Sequence, residues 1–326
     1  MEGKCDFFKL LIFALLGVVA LSSCAELRLP EKKIKTSAWE DRTSFVVKSS
    51  RDWEKLRSAR KITSDASAAN LFQNRKMLDK FNPKYIAMRE SRDNDEHPNS
   101  TPIAIGVDVT GSMGYLSEEI VKNSLNEIMK KLYASSVIPD PQLMFAAVGD
   151  VVDQAPLQVT QYESDIRIAE QLLDLWLEGR GGDGPEDYAL FWYFLAHHTD
   201  TDSMKKRGEK GFAFTIGDAA NHVNLCAGDI KKIFNDNVAD DLTCEEVAEE
   251  ALKSYHLFHI NIYSGYERTV INGRTINIPR DSIALLPELI ISVICKVKGY
   301  KREDILGHLD FKTEKALDKM MKNLIF

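Results

Sequence analysis

The sequence predicts a doubly wound α/β fold, a mainly parallel sheet with helices on both faces. Three observations lead there. A continuous apolar run at residues 103–107, a buried strand at 143–148 and largely apolar stretches at 212–216 and 257–262 make the pattern of strands covered on both sides. Helical periodicity separates the runs, and strand–helix alternation implies right-handed crossovers. Polar residues interrupt the chain where the runs end, at Asp108, Asp150 and Asp218, the edge where open α/β sheets bind ligands.

The chain has 326 residues, of which 44% are hydrophobic and 28% charged, enough for a sizeable core. Its net charge of -7 and lack of clustered basic residues exclude a nucleic-acid footprint. At the N-terminus, Lys4 and Lys9 precede an apolar run over residues 10–20, and Ser22, Ser23 and Cys24 follow. The run is shorter than the roughly 20 residues a spanning helix needs, and with its flanks it reads as a secretory signal. Leu21-Ser22-Ser23-Cys24 resembles a bacterial lipobox, which implies cleavage before Cys24 and a lipid anchor there. Residues 1–23 are therefore expected to direct the chain to the cell envelope. The alternative is a cytoplasmic protein with a buried or interfacial apolar segment. Cys226, Cys244 and Cys295 remain of the 5 cysteines, an odd, widely spaced set that matches neither a disulfide framework nor a zinc signature. Cys295 reads as a small buried hydrophobe.

Residues 24–100 form a polar, partly helical extension, with weakly amphipathic stretches at 53–60 and 66–80. Residues 89–102 have no apolar period and read as an exposed loop before the main domain, 101–326. After the strand at 103–107, Leu116, Ile120, Val121, Leu125, Ile128, Met129 and Leu132 make one apolar helical stripe. Residues 143–148 are the second strand and 157–160 a short edge strand. Helices are expected at 166–177 and 188–196. Residues 190–195 are apolar all round, so that helix packs in the core. Residues 199–210 read as a solvated loop, followed by the strands at 212–216 and 257–262. Between those two, Thr243 and Glu246 have capping-box spacing. Pro287 suits the first turn of a helix running to Lys296.

In Asp108-Val-Thr110-Gly-Ser112-Met-Gly114, three oxygen-bearing side chains alternate on a turn loosened by glycine and can converge on one small cation. Asp218 ends the 212–216 strand, and the glycine-rich loop 179–187 can swing over the same edge. All are hard oxygen donors, suited to Mg²⁺, Mn²⁺ or Ca²⁺ rather than zinc. Asp150 reads as a strand-end turn residue. His197 and His198 read as surface histidines, and His222 as a satisfied loop histidine. His256 and His259 have no acidic or thiol companion nearby in sequence.

Asp108-Val-Thr110-Gly-Ser112 resembles the DxSxS signature of von Willebrand factor A domains, with Thr in place of the middle Ser. The resemblance covers about residues 102–265. It implies a metal-ion-dependent adhesion site in which Thr110 and Ser112 bind the ion directly and Asp108 does so directly or through water. Asp218 matches the family's late aspartate. The family's loop threonine has no clean counterpart; Gly181-Gly-Asp183-Gly-Pro-Glu186-Asp187 resembles the GGDGPED variant and puts Asp183 in that role, with Glu186 as substitute. The implied function is divalent-cation-dependent protein binding or complex assembly, with an acidic side chain of a protein partner completing the sphere. The alternative is a metal-dependent phosphohydrolase with Asp108 as nucleophile; Thr110 stands where such an enzyme needs a second acid. No nucleophile elbow or zinc-hydrolase helix is present.

Overall fold

Residues 72 and 74–326, apart from 136, 166 and 181–183, are described by a computed structural model. The signal segment, Cys24 and the helical stretch expected at 53–60 lie outside the described residues. So do residues 66–71 and 73 of the stretch expected at 66–80, whose described part is irregular before the single 3-10 turn Asp79–Phe81. Tertiary contacts override its weak stripe. Phe72 and Phe81 are buried in the core, and the Asn74 amide donates to the Asp174 carbonyl at 2.6 Å.

The strands in chain order are β1 (Arg89–Ser91), β2 (Thr101–Asp108), β3 (Pro141–Val148), β4 (Leu157–Val159) and β5 (Thr199–Thr201). They continue as β6 (Gly211–Gly217), β7 (Asn224–Leu225), β8 (Leu242–Thr243), β9 (Tyr255–Tyr263) and β10 (Thr275–Pro279). Six of them form the central sheet in the order β10-β9-β6-β2-β3-β4. Every pairing is parallel except that of the edge strand β4, which runs antiparallel to β3. From β2 the chain moves outward to β3 and β4, then returns to β6 on the other side and continues to β9 and β10. Strand order thus reverses between β2 and β6, where ligands of open α/β sheets are bound.

Successive residues of a strand face opposite sides, and the two sides here differ in size. Ile103, Ile105 and Val107 of β2 join Phe145, Phe212, Phe214 and Ile216 in one core cluster, under the helices Leu125–Ala134 and Leu286–Lys298. The other side carries small residues, Ala104, Ala146 and Ala213, and there the helix Tyr188–His197 lies close. Every side chain from Tyr188 to Leu195 is buried, as an all-apolar helix demands. Gly106 makes the close approach possible: a Cβ there would sit 2.7 Å from the Phe191 ring.

Local signals hold at several ends. Thr243 and Glu246 form the expected reciprocal cap, and a proline stands in the first turn of Leu286–Lys298. Cys295 is buried. The helix after Gly114 runs from Tyr115–Glu119 through a π-helical turn, Ile120–Ser124, into Leu125–Ala134. The helix expected over 166–177 is shorter, Arg167–Leu173.

Two segments expected to be solvated loops are structured against each other. Arg89–Ser91 pairs in parallel with Thr199–Thr201, and Asp202–Arg207 is a helix. Their charges satisfy one another: Arg92 reaches Asp200 at 2.6 Å and Asp202 at 3.1 Å, and Arg207 reaches Asp93 at 2.6 Å. A run of mixed charge has no apolar period, so a lattice of paired charges looks like a loop in sequence. No described helix is long and apolar enough to cross a membrane.

Candidate metal centre

β2 and β6 are neighbours with Val107 opposite Ile216, so their continuations leave the sheet side by side. This brings Asp108, Thr110, Ser112 and Asp218 together. Asp108 Oδ1 accepts from the Thr110 amide at 2.8 Å and the Thr110 hydroxyl at 2.6 Å. Thr110 Oγ1 lies 3.3 Å from Ser112 Oγ, which donates to Asp218 Oδ1 at 2.6 Å. Four side chains from two strand ends thus form one continuous chain of oxygens. Asp108 is fully buried, whereas Ser112 is exposed and Asp218 half-buried, so the chain runs from the sheet out to solvent.

The second oxygen of Asp108 accepts from the Tyr188 hydroxyl at 3.0 Å. Tyr188 opens the core helix, and the sequence marks it only as the start of that helix. Its reach depends on Gly217, where a Cβ would lie 2.0 Å from that hydroxyl. The glycine-rich loop meets the same edge, because the Gly111 amide donates to the Arg180 carbonyl. Asp183 lies outside the described residues. Glu186 is tied down by a parallel bridge to Asn221, and its carboxylate lies against the Thr110 hydroxyl. Only 4% of Glu186 is exposed, yet its Oε2 has no hydrogen-bond partner among the described residues.

Burial pushes the Asp108 carboxyl up to about 6, and the Asp218 charge adds to the rise. Burial likewise pushes Glu186 up to about 8, with Asp108 and Asp150 adding to it. No cationic group is among the main influences on either value. Buried carboxylates are normally paired or coordinate a metal. The orphaned Glu186 oxygen beside an all-oxygen donor chain is an excess of acceptor capacity, and the set fits a hard divalent cation. Asp108, Thr110, Ser112 and Asp218 are the residues that would hold it, with Glu186 beside them.

A pH dependence follows. Glu186 keeps its proton in the folded chain up to about 8, whereas unfolded it ionises near 4.5. The folded state binds more protons in that window, so its stability falls as pH rises, by at most about 1.4 kcal/mol per pH unit for this group. In chelator, Glu186→Gln is expected to gain stability over the wild type steadily from about pH 5 to about pH 8. Urea titrations at several pH values would measure this, and parallel curves would contradict it.

Other titratable residues are placed differently from the sequence reading. Asp150 does hold a strand-end turn, accepting the Val152 amide at 2.9 Å, but it also sits in a cluster with Asp187 and His222. His198 is buried rather than on the surface, with Nε2 2.8 Å from Asp236 Oδ2; His197 remains exposed. His259 is fully buried, 2.9 Å from the Thr215 hydroxyl, and burial lowers it to about 3.

No protein-family model and no curated protein matches the chain. Among solved structures, a von Willebrand factor type A protein from Catenulispora acidiphila is 12% identical with a TM-score of 0.37, over 58% of this chain and 41% of that one. The vWF domain of the type V pili tip protein Mfa5 from Porphyromonas gingivalis is 10% identical with a TM-score of 0.40, over 65% of this chain and 98% of that one. The pilus adhesin SpaC from Lactobacillus rhamnosus GG, in its open conformation, is 7% identical with a TM-score of 0.37, over 71% of this chain and 31% of that one. The chain spans less than half the length of the first of these. Each likeness concerns part of the chain, and the fold itself is read from strand order and register.

Proposed function

We propose that this chain is a divalent-cation-dependent protein-binding module, with Mg²⁺ as the ion and Mn²⁺ or Ca²⁺ as substitutes. The observation that carries the reading is the unbroken oxygen chain Asp108–Thr110–Ser112–Asp218 at the sheet's switch point. The ion would supply one electrophilic position for an acidic side chain of a protein partner. The chain's own residues do the rest. Hydroxyls at Thr110 and Ser112 add no charge, so the attraction for an incoming carboxylate is kept. Tyr188 fixes Asp108, and Ser112 leaves the outer end of the site exposed.

The surroundings suit a protein partner. Tyr115, Val152, Val223 and Tyr266 are 63%, 69%, 78% and 70% exposed. They follow the carboxyl ends of β2, β3, β6 and β9, the rim on which the site opens. Exposed aromatic and apolar residues around a polar centre are characteristic of interaction surfaces. Arg268 donates to the Asp218 carbonyl and lies 5.1 Å from the Tyr266 ring, a cation beside the opening that favours acidic partners. Placement in the cell envelope, and a lipid at Cys24, remain proposals that rest on residues 1–24 of the sequence.

The phosphohydrolase alternative gains nothing from the geometry. Such an enzyme needs a second acid two residues after its nucleophile, and Thr110 stands there with its hydroxyl donating to Asp108. The test is capture of partners from envelope extract on the immobilised chain. Captured protein is expected to elute with EDTA and to be missing on Asp108→Ala; capture that survives both would overturn the reading.

A further inference from the structure

Beside the oxygen chain lies a second group with different chemistry. Asp150, Asp187 and His222 present ligand atoms that all fall within 4.8 Å of one another. They come from three stretches of chain that the fold ties together. Asp150 follows β3, Asp187 precedes the core helix, and His222 lies in the loop after β6. The Glu186–Asn221 bridge clamps the last two: the Glu186 amide donates to the Ala220 carbonyl at 2.8 Å, and the His222 amide to the Glu186 carbonyl at 3.1 Å.

Each carboxylate is anchored on the backbone through one oxygen. Asp150 Oδ1 accepts the Val152 amide at 2.9 Å, and Asp187 Oδ2 accepts the Val151 amide at 2.9 Å. Such outer contacts orient the ligands of metal sites. Asp150 is 2% exposed, yet its Oδ2 makes no hydrogen bond among the described residues and faces His222 Nε2 at 3.5 Å. Ligands sharing an ion at bond lengths of about 2.0–2.2 Å lie roughly 3–4 Å apart, so that pair is already at ligand spacing.

From this we infer that Asp150, Asp187 and His222 form a second divalent-metal site, distinct from the oxygen chain at Asp108. One imidazole with two carboxylates selects a borderline transition ion of the Mn²⁺ to Zn²⁺ series, whereas hydroxyls and carboxylates alone suit Mg²⁺. His222 is 27% exposed at its side chain, which gives the ion a way in. A metal here fixes the β3 and β6 loops relative to each other, and those loops carry Val152 and Val223 of the exposed rim.

The experiment is Zn²⁺ binding to the full chain with Mg²⁺ in large excess, measured by competition with a chromogenic chelator. The expected result is one tight Zn²⁺ per chain, lost in His222→Ala and in Asp150→Asn and kept in Asp218→Asn. Mg²⁺-dependent melting should behave in the opposite way, lost in Asp218→Asn and kept in His222→Ala, which separates failure of this site from failure of the first. Absorption of bound Co²⁺ in the wild type, displaced by Zn²⁺, reports a shared low-coordinate site without needing any variant to fold. The inference is overturned if no Zn²⁺ binds, if Zn²⁺ persists in His222→Ala, or if it disappears with Asp218→Asn.

Discussion

Gly217→Ala is expected to destabilise the protein by about 3–5 kcal/mol, from overpacking and from loss of a buried hydrogen bond to a carboxylate. The added Cβ would lie 2.0 Å from the Tyr188 hydroxyl and 2.6 Å from its ring carbon Cζ. Tyr188 is fully buried among core side chains, so it has no room to recoil. Moving it breaks the bond to Asp108 Oδ2 at 3.0 Å and the one from the Ala219 amide at 3.3 Å. Tyr188→Phe should cost less alone, because it removes the hydroxyl without a clash. In the Gly217→Ala background it should recover part of the loss. Urea midpoints for the two single variants and the double variant measure this. A Gly217→Ala midpoint equal to wild type would show that Tyr188 is not held against β6.

The second large effect concerns the ion. Asp108→Asn keeps the shape of the side chain, and its oxygen can still accept from Thr110. It removes the buried charge that burial and Asp218 already penalise, which offsets the lost acceptor for the Tyr188 hydroxyl, so the chelated variant should fold with stability near that of wild type at neutral pH. Mg²⁺ should then separate the two. An ion at about 100 times its dissociation constant stabilises the native state by about 2.7 kcal/mol, a rise of roughly 5–10 °C for a domain of this size. Wild type should show that rise and Asp108→Asn should show none. Equal rises in both would mean that the cation binds elsewhere. A variant unfolded even in chelator would mean that Asp108 serves packing rather than ligation.

Both predictions draw on features that differ in how legible they were. The sheet was readable because its strands are buried on both faces: residues 103–107 are an unbroken apolar run and 212–216 are apolar except for Thr215, and their observed limits extend the runs by one or two residues at each end. The meeting of Asp108, Thr110 and Ser112 was readable because they alternate on one turn, and that of Asp218 because it ends a strand. Tyr188 was not. An aromatic at the start of an apolar helix gives no sign that its hydroxyl crosses to a neighbouring strand through the space left by a glycine. The Asp150–Asp187–His222 group was equally hidden, because its members are separated in sequence and joined by a single two-residue bridge. The paired strands Arg89–Ser91 and Thr199–Thr201 were missed for a third reason. Their stability comes from charges meeting over a hundred residues apart, which leaves no local period to detect.

A structure of the protein grown with Mn²⁺, whose anomalous scattering marks the ion, addresses the central point with least inference. A strong peak is expected within about 2.0–2.3 Å of oxygens from Ser112 and from Thr110 or Asp218, with Asp108 bound directly or through one water. No peak at that rim, with Asp108 and Asp218 hydrogen-bonded as they are in the free chain, would contradict it.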